Sequence, residues 1–585
     1  TSRPTGGSER WPGWEDAAVP VEQLAGYLHD FTELMTAHGR HGSLYGHFGE
    51  GCVHVRIDHD LLTDAGRRAY RRFQEDAADL VVAHHGSLSG EHGDGRQRSE
   101  LLTRMYSPDL LAAFAEFKQI FDPANVLNPG VIVDPAPLDA ALRPEVSREH
   151  SAGLAFSFAE DGGDFGRVAR RCVGVGACRA AGGGMCPSYQ ATRDERHSTR
   201  GRARILFEML DGHLRDDGWR SDEVMDALDL CLMCKACSNE CPVSVDMATY
   251  KAEFLHQHYR NRLRPRAHLS MGFLPVWLAV GRRCSRLLNA MVASAPAARA
   301  LKRLAGIDQR RALPPLAEQP VRRGALAGEH GWRLPANGGR QGAPRGRVLL
   351  WLDSFTTRFA PEVVTDAIRV LSAVGYDVEP VGQRLCCGLT WVSTGQLGVA
   401  RRVMARTVRR LAGSDLPVVV LEPSCAAALR DDVVKLLASE AARSLAARVR
   451  TLAEMLEGVD LAAVVAEQEP DPADRSVLAQ FHCHQRAALG TRADQEVLAL
   501  LGYAVTSVDE GCCGLAGNFG FEDGHYEVSA TCAEQSFLPY VHADPAAIVL
   551  ADGFSCRLQI EQLGEPAMAG RRPLHLAQLV ARRLK

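Results

Sequence analysis

Four cysteines near the middle of the chain have the spacing of iron–sulfur ligands. They follow the pattern C-x2-C-x2-C-x3-C-P and are Cys231, Cys234, Cys237 and Cys241. In such a run the first three thiolates bind one [4Fe–4S] cluster, and the fourth binds a neighbouring cluster. A zinc site would explain a single C-x2-C pair. The Cys-Pro ending and a second Cys-Pro run upstream favour clusters, so the sequence predicts a protein that transfers electrons.

The second run lies upstream and is incomplete. Its cysteines are Cys172, Cys178 and Cys186, and Val175 stands where another thiolate is expected. If the two runs exchange their last ligands, one complete set is Cys231, Cys234, Cys237 and Cys186. The other set has three thiolates, which are Cys172, Cys178 and Cys241. We expect a two-cluster, ferredoxin-like domain with one [4Fe–4S] cluster. The three-thiolate site is left with three alternatives: a [4Fe–4S] cluster, a [3Fe–4S] cluster or no cluster.

Two segments near the N-terminus combine histidine, glutamate and glycine. His47 and His54 flank a glycine-rich turn, and Glu91 and His92 follow Gly90. Two imidazoles and a carboxylate can hold a divalent ion while leaving positions open for substrate. A lone histidine is more often structural, but glycine on both segments lets the backbone approach a ligand closely. The sequence therefore predicts a divalent metal site, with Zn or Mn as the ion.

The N-terminal region resembles the C-terminal half of FAD-linked oxidases of the D-lactate dehydrogenase, glycolate oxidase and D-2-hydroxyglutarate dehydrogenase family. The matching motifs are Gly-His-x-Gly-x-Gly-x2-His at 46–54, Gly-Glu-His-Gly at 90–93 and Phe-Asp-Pro-x3-Leu-Asn-Pro-Gly at 121–130. The resemblance implies that the metal is held by His47, His54 and Glu91. It also implies that His92 is the general base.

The same resemblance implies FAD as the cofactor, contacted in this chain by Gly93 and Asn128. The family's N-terminal lobe, which binds the adenosine and pyrophosphate of FAD, has no counterpart in the sequence. We therefore expect an incomplete FAD site and a longer intact protein. Glu50 and Cys52 replace residues that are usually Asp and Asn in the family, and neither is a ligand position.

The C-terminal half contains a repeated Cys-Cys-Gly pattern. Residues 385–389 match 511–515, and 420–425 match 551–556 in the same order. Two signals that recur in order predict a duplicated domain. The repeats resemble the cysteine-rich domains of heterodisulfide reductase and of the iron–sulfur subunits of glycolate oxidase and anaerobic glycerol-3-phosphate dehydrogenase.

Neither copy keeps all five thiolates of that family pattern. In the second copy Gly553 replaces one cysteine, and the remaining four are Cys483, Cys512, Cys513 and Cys556. In the first copy Asp353 and Glu422 stand at or near missing positions, and the remaining three are Cys386, Cys387 and Cys425. Four thiolates suffice for a cluster, so the second copy is expected either to bind a further cluster or metal, or only to dock a partner.

Several folding units must position these residues. The chain has 585 residues, which predicts more than one domain. Residues 21–35 and 107–121 have helical apolar spacing, and residues 43–58 alternate like a strand. From 347 onward, short apolar strands alternate with helices, which indicates a parallel α/β architecture. The predicted fold class is multidomain, α+β and α/β.

The expected segments follow the motifs. They are an FAD-linked oxidase C-terminal α+β domain at 1–135, a linker at 136–160, an α-helical two-cluster ferredoxin domain at 161–265, a helical segment with a Pro/Gly-rich linker at 266–346, and α/β Cys-Cys-Gly domains at 347–470 and 471–585. Within the fourth segment, residues 311–346 are rich in Pro, Gly and Arg and are expected to form a flexible connection.

Composition indicates the cellular compartment. A net charge of −4 gives no general attraction for nucleic acid. The 17 cysteines cluster in ligand-like patterns, which favours a reducing, cytoplasmic compartment. Residues 271–281 are apolar but too short to span a bilayer. Because arginines flank them, they predict either an interfacial helix at the inner face of the membrane or a helix packed on its own protein.

Together the motifs imply an FAD-dependent D-2-hydroxyacid dehydrogenase of the D-lactate or D-2-hydroxyglutarate class, an oxidoreductase that does not use NAD. Its expected partners are a small D-2-hydroxyacid and an electron acceptor, which would be a quinone, a cytochrome or a carrier protein. Arg96 and Arg98 are candidates for substrate selectivity. One alternative is an electron-transfer subunit without substrate chemistry, and another is an oxygen-using oxidase with structural clusters.

Overall fold

The structure, a computed structural model, describes residues 8–142, 152–180, 182–211, 214, 218–281, 284–318, 345–382, 385–465, 470, 475–508 and 511–585. The chain forms two compact units. The first comprises residues 1–150, 160–167 and 210–213, and the second comprises residues 151–159, 168–209 and 214–585. Among the described residues, no helix combines the length and apolarity needed to cross a membrane.

The first unit is a small antiparallel sheet packed against helices. Its strands are β1 (Trp11–Ala18), β2 (Gly42–His47) and β3 (Cys52–Ile57), in the order β1-β3-β2. Apolar side chains of the strands and of two long helices form one core, in which Trp14, Phe31 and Phe73 are completely buried. The α-helices are Leu24–Ala37, Asp64–Ala83, Gly95–Ser99 and Pro108–Phe121.

The helices predicted at 21–35 and 107–121 are confirmed. The single strand predicted at 43–58 is wrong, because the segment folds into the β2–β3 hairpin. The turn depends on Gly51, whose φ is +76°. A side chain there would overlap the carbonyl of Val19, so the chain reverses where only glycine fits.

The second unit begins with a helical region that carries the two cysteine runs. Phe156 is buried in its core, and the backbone N–H groups of Ala155 and Phe156 donate to the buried carboxylate of Glu253. The end of the segment predicted as a linker, 136–160, is therefore packed into the core of the second unit. The α-helices here are Phe165–Arg170, Pro187–Thr192, Thr199–Asp211, Asp222–Asp229, Ala236–Glu240, Met247–His258, Arg266–Ser270, Leu274–Gly281, Ser285–Ala293 and Ala295–Ala305.

Arg311 begins the Pro/Gly-rich connection expected to be flexible, yet it is 0% exposed. Its guanidinium donates to the carbonyl of Gly520, to Gln559 and to Ser529. This part of the predicted connection is thus fixed in the core, since a buried guanidinium needs such partners. Residues 319–344 of the connection lie outside the described residues.

Two parallel sheets form the rest of the second unit. The first contains β4 (Gly346–Trp351), β5 (Tyr376–Val381), β6 (Val418–Val420) and β7 (Val449–Arg450), in the order β5-β4-β6-β7. The second contains β8 (Ser476–Ala479), β9 (Ala504–Ser507) and β10 (Ile548–Leu550), in the order β10-β8-β9. The first strand of each sheet lies between the second and the third, as expected of a duplicated domain.

The two sheets share one hydrophobic core. The last helix, Leu576–Arg583, packs on Pro361–Ala373 of the first copy, and buried residues of both copies belong to one cluster. The multidomain α+β and α/β fold class is confirmed. The α-helices of this half are Ser354–Phe359, Pro361–Ala373, Leu389–Ser393, Leu397–Leu411, Pro423–Ala427, Val433–Leu437, Glu440–Arg448, Leu452–Leu456, Cys483–Ala488, Arg492–Leu500, Tyr526–Gln535, Leu538–Ala543, Phe554–Leu563 and Leu576–Arg583.

Candidate functional site

A bulge in β1 places Asp16 at the centre of the first unit's polar site. The pairing of β1 with β3 changes register there, and Asp16 has a left-handed φ of +72°. Such a bulge redirects a side chain. The carboxylate is 3% exposed and accepts the N–H groups of Glu91 and His92 (3.0 and 2.8 Å) and the hydroxyl of Ser89. Asp16 therefore holds the 89–92 loop against the hairpin.

Glu91 lies between the two predicted metal-binding histidines. Its Oε1 is 3.3 Å from His54 Nε2, and its Oε2 is 3.8 Å from His47 Nδ1. His47 ends β2 and His54 lies within β3, so the hairpin presents both rings to the same loop. Nitrogen and oxygen ligands of one zinc ion lie about 3 Å apart. The donor atoms of His54, Glu91 and His92 all lie within 4.8 Å of one another, whereas His47 does not complete such a group with His54 and Glu91. An ion held by His47, His54 and Glu91 would therefore require the exposed His47 ring to move closer.

His92, the predicted base, adjoins this group. Its ring stacks on that of His54 with centroids 5.1 Å apart, and its Nε2 is 3.6 Å from Glu91 Oε1. The His92 side chain is 60% exposed. An exposed imidazole anchored through its backbone N–H to Asp16 can reach a substrate bound beside the ion. The structure thus brings together all four residues predicted for this site.

Burial and hydrogen bonding set the charges beneath the site. Burial would raise the pKa of Asp16, but its bonds to Ser89, His92 and Glu91 hold the pKa below its usual value. Burial and the nearby carboxylates Asp16 and Glu91 raise the pKa of Cys52 to about 12. Asp16 is therefore ionised and Cys52 is a neutral thiol at neutral pH.

Asp16 and Glu15 also belong to this site, and neither was predicted from the sequence. The Glu15 carboxylate is 3.4 Å from His54 Nδ1 and accepts the Tyr45 hydroxyl at 3.0 Å. The available signal was two adjacent carboxylates inside the otherwise uncharged stretch that forms β1. The prediction that Arg98 selects the substrate is wrong. Arg98 is 3% exposed and lies over the ring of Trp14, and its guanidinium donates to Gln74 and to the carbonyl of Glu15. Arg96 is exposed.

The predicted cofactor contacts lie on exposed loops. Gly93 and Asn128 have left-handed φ values of +84° and +47°. Beside Asn128, apolar side chains are more than half exposed, among them Phe121, Val126 and Leu127. Lys118 fastens this loop, because its ammonium donates to the Leu127 carbonyl. The exposed apolar surface around Asn128 is therefore suited to being covered by a flavin and by the rest of the flavin-binding site.

In the second unit, the cysteines of the two runs lie close together, but Cys186 hydrogen-bonds to Cys178 of the other predicted set and interacts less strongly with Cys237 of its own set. Burial raises the pKa of Cys172, and the thiols of Cys178 and Cys241 add to the rise. Burial likewise raises the pKa of Cys237, with contributions from Cys234 and Cys231. Cys186 accepts the backbone N–H of Thr199 at 2.9 Å. These groupings fit two adjacent cubane clusters, because thiolate ligands must converge.

The loop between Cys231 and Cys237 is fastened to both Cys-Cys-Gly copies. Lys235 is 4% exposed, and its ammonium lies 2.7 Å from Asp431 and 2.6 Å from Asp432 of the first copy. On the other side, His484 of the second copy donates from Nε2 to the carbonyl of Met233 at 2.9 Å. One cluster-binding loop therefore contacts both copies.

The four thiols of the second copy converge. The sulfurs of Cys512 and Cys483 are 3.9 Å apart, and Cys513 hydrogen-bonds to both Cys512 and Cys556. A Cβ on Gly553 would overlap the ring of His482, so this imidazole fills the room of the missing cysteine. Since His482 Nδ1 accepts the N–H of His484, the neutral ring carries its proton on Nε2.

The first copy brings together three thiols and two carboxylates. The sulfurs of Cys387 and Cys425 are 3.1 Å apart. Burial and the charge of Glu422 raise the pKa of Asp353 to about 6. Glu422 accepts the backbone N–H of Phe554 at 2.8 Å and so contacts the second copy. Three thiols beside buried acids fit a cluster less well than the four thiols of the second copy.

Comparison with protein families identifies three domains. Residues 2–132 match the C-terminal domain of FAD linked oxidases, residues 168–245 match a 4Fe-4S dicluster domain, and residues 353–430 match a cysteine-rich domain. The predicted domain types are therefore confirmed. These matches support FAD and iron–sulfur clusters as cofactors.

Several known proteins are similar to all or part of this chain. The D-2-hydroxyglutarate dehydrogenase of Pseudomonas putida is 28% identical over 98% of this chain and 59% of its own length. That of Escherichia coli is 27% identical over 95% of this chain and 58% of its own length. One subunit of the anaerobic glycerol-3-phosphate dehydrogenase of Escherichia coli is 25% identical over 47% of this chain and 67% of its own length. The chain thus spans about six tenths of the D-2-hydroxyglutarate dehydrogenases that it matches.

Proposed function

We propose that the protein containing this chain oxidises a D-2-hydroxyacid of the D-2-hydroxyglutarate or D-lactate class to the 2-oxo acid. The observation that supports this proposal most directly is the position of Glu91 between His54 and His47, with the ring of His92 stacked on that of His54. Similarity to D-2-hydroxyglutarate dehydrogenases over almost the whole chain supports this reaction.

A divalent ion, Zn or Mn, would be held by His47, His54 and Glu91. When bound, such an ion polarises the substrate hydroxyl and lowers its pKa. The chain's own residues prepare the donors. In the structure, His54 Nδ1 accepts the backbone N–H of Asp16 at 3.0 Å, so the neutral ring carries its proton on Nε2. Binding an ion through Nε2 would move that proton to Nδ1, where the Glu15 carboxylate at 3.4 Å would accept it in place of the Asp16 contact. Asp16 keeps Glu91 in reach of both rings.

His92 accepts the hydroxyl proton in this proposal. Its exposed ring stands at the open side of the donor group, and its backbone is fixed by Asp16. General bases must lie within hydrogen-bond reach of the proton that they remove. FAD, which Gly93 and Asn128 would contact in this chain, would accept the hydrogen of C2 as hydride, so that the substrate would lose two electrons and two protons overall.

The second unit carries the electrons onward. Cys186, Cys231, Cys234 and Cys237 would hold one [4Fe–4S] cluster, and Cys172, Cys178 and Cys241 would hold the other cluster. Cys483, Cys512, Cys513 and Cys556 would hold a further centre. The bond from His484 to Met233 supports direct transfer between the dicluster region and the second copy, because it joins the two ligand-bearing segments.

Stopped-flow mixing of the full-length protein with D-2-hydroxyglutarate or D-lactate tests this function. The substrate should bleach the cluster absorbance without NAD. His92→Ala should slow that reduction by about 10² to 10⁴ while metal and iron contents stay unchanged. His41→Ala removes an 82% exposed histidine near the same hairpin and should react like wild type.

Two outcomes would contradict the proposal. If the clusters of His92→Ala are reduced at the wild-type rate, His92 is not the general base and has only a structural role. Clusters that no D-2-hydroxyacid reduces, in protein that retains FAD, would favour an electron-transfer subunit without substrate chemistry.

A further inference from the structure

An apolar cavity of about 420 Å³ lies inside the second unit. Its walls come from the dicluster region, from the helices at 270–316 and from both Cys-Cys-Gly copies. Most of the lining side chains are aliphatic or aromatic, including Leu274, Leu288, Leu515 and Phe554. A cavity of this size and chemistry suits a hydrophobic small molecule.

The cavity adjoins two predicted redox centres. Cys483, one of the four converging thiols, forms part of its wall, and so do Leu232 and Met233 beside the dicluster ligands. The charge of Cys483 also acts on the pKa of Cys234, which burial raises to about 12. A molecule in the cavity would lie in contact with residues of both centres, which is close enough to accept electrons from either one.

Several polar groups lie at the wall, and two buried ones, His484 Nδ1 and Asp432 Oδ2, have no hydrogen-bond partner among the described residues. His482 is 4% exposed and lines the cavity. Its Nδ1 accepts the His484 N–H, whereas its Nε2 makes no hydrogen bond within the described part of the chain. The neutral ring therefore offers an Nε2–H donor. A carbonyl oxygen of a bound molecule would satisfy it, as buried polar groups require.

The opposite wall has an apolar outer surface. Trp277 lines the cavity and is also 54% exposed. Nearby on the same helical segment, Val280, Leu287 and Leu304 are 64 to 73% exposed. Exposed apolar side chains on a segment that also carries exposed arginines fit the surface of an anionic membrane. This side offers a lipophilic molecule a route from lipid into the cavity.

We propose that the cavity is a reduction site for an isoprenoid quinone. The ring lies against Cys483 and accepts a hydrogen bond from His482 Nε2, and the tail extends along the helices that carry Trp277 and Leu288. The inference rests on the proposed function, which supplies the electrons. Each quinone takes two electrons from the centres and two protons from solvent and becomes a quinol, which balances the two electrons and two protons lost by the hydroxyacid.

Binding of ubiquinone-1 to the full-length protein, measured by equilibrium dialysis without substrate, tests the site independently of turnover. Leu288→Trp would fill the cavity and should weaken ubiquinone-1 binding at least tenfold. Leu287→Trp is the matched control, because its neighbour Leu287 is 64% exposed and does not line the cavity. Iron content and reduction of a water-soluble dye by D-2-hydroxyglutarate should be unchanged in both variants.

Three results would contradict the quinone site. The first is that wild type does not bind ubiquinone-1, and the second is that the two variants bind it equally. The third is displacement of ubiquinone-1 by an equal concentration of palmitate, because that would indicate a general lipid cavity. Failure of the proposed function gives a different pattern, in which ubiquinone-1 binds in a Leu288-dependent way but the hydroxyacid reduces neither the quinone nor the dye.

Discussion

At the scale of single residues, a buried carboxylate, Asp353, lies about where the first Cys-Cys-Gly copy is expected to have a cysteine, and its titration should affect stability. Burial and Glu422 raise its pKa to about 6, so the folded protein binds a proton more tightly than the unfolded chain. The free energy of unfolding therefore falls as pH rises from the unfolded pKa, about 4, to about 6, and the loss persists at higher pH.

Asp353→Asn should remove this pH dependence while keeping an oxygen to accept the N–H groups of Phe355 and Thr356. Relative to wild type, the variant should gain roughly 1 to 3 kcal/mol between pH 4 and pH 7. Thermal unfolding across that range measures the gain. Asp377→Asn, at an exposed position of β5, should show no such trend. A stability difference that does not vary with pH would show that Asp353 is not the titrating group.

Val175 decides the type of the three-thiolate cluster. It lies between Gly174 and Gly176, both with left-handed φ, and is 65% exposed. Valine has no lone pair for iron, so a cluster on Cys172, Cys178 and Cys241 is expected to lose one iron and to become [3Fe–4S]. EPR of the oxidised protein should show the paramagnetic signal, and Val175→Cys should replace it with a reducible [4Fe–4S] signal. Val173→Cys, two positions away, should keep the wild-type spectrum, and identical spectra for all three proteins would contradict the assignment.

Residue types and spacing predicted His47, His54 and Glu91 as a metal site, and the family resemblance added His92 as the base. The structure places Glu91 beside all three histidines, and the roles of the four residues stay predictions. Asp16 and His482 could not be predicted in the same way. Asp16 reaches the 89–92 loop only because β1 bulges there, and His482 fills the space left by a residue 71 positions later, Gly553. Both depend on which segments meet in three dimensions.

At the scale of elements, the buried ion pairs of Lys235 fix the cluster loop to the first copy. Replacing Lys235 by Met would leave Asp431 and Asp432 without their shared ammonium. Breaking a buried pair costs about 3 to 5 kcal/mol, and thermal denaturation should show it. Lys435→Met is the matched control, because the Lys435 side chain is 36% exposed and water can replace it, so its loss should be smaller. Equal losses would mean that burial does not set the energy of this contact.

An element with a clear apolar period was predicted nearly to its ends, as the helix Pro108–Phe121 shows. The spacing of apolar residues does not reveal a turn that depends on one glycine, so the β2–β3 hairpin was predicted as one strand. Arg311 was assigned to a flexible connection because its neighbours are Arg, Pro and Ala. Its burial depends on acceptors such as Gly520 and Gln559, more than 200 residues later.

At the scale of the whole molecule, the second unit places the dicluster region between two related domains that are not equivalent. The first copy contributes charge, through Asp431 and Asp432, and the second contributes four converging thiols beside a quinone-sized cavity. The two copies also differ in cysteine number, since the first keeps three thiols of the repeated pattern and the second keeps four. Electrons are therefore expected to leave the dicluster region through the second copy.

Cys513→Ser tests that direction of flow. Cys513 hydrogen-bonds to Cys512 and Cys556, so its loss should empty the second-copy centre and lower the iron content. D-2-hydroxyglutarate should still reduce the dicluster centre at the wild-type rate, whereas ubiquinone-1 reduction should fall at least tenfold. Cys532→Ser is the control, since Cys532 is a buried thiol close enough for Cys234 and Cys513 to act on its pKa but has no place in the predicted ligand set. If both variants keep full ubiquinone-1 reduction, electrons leave the dicluster region by another path, and the converging thiols of the second copy serve the fold alone.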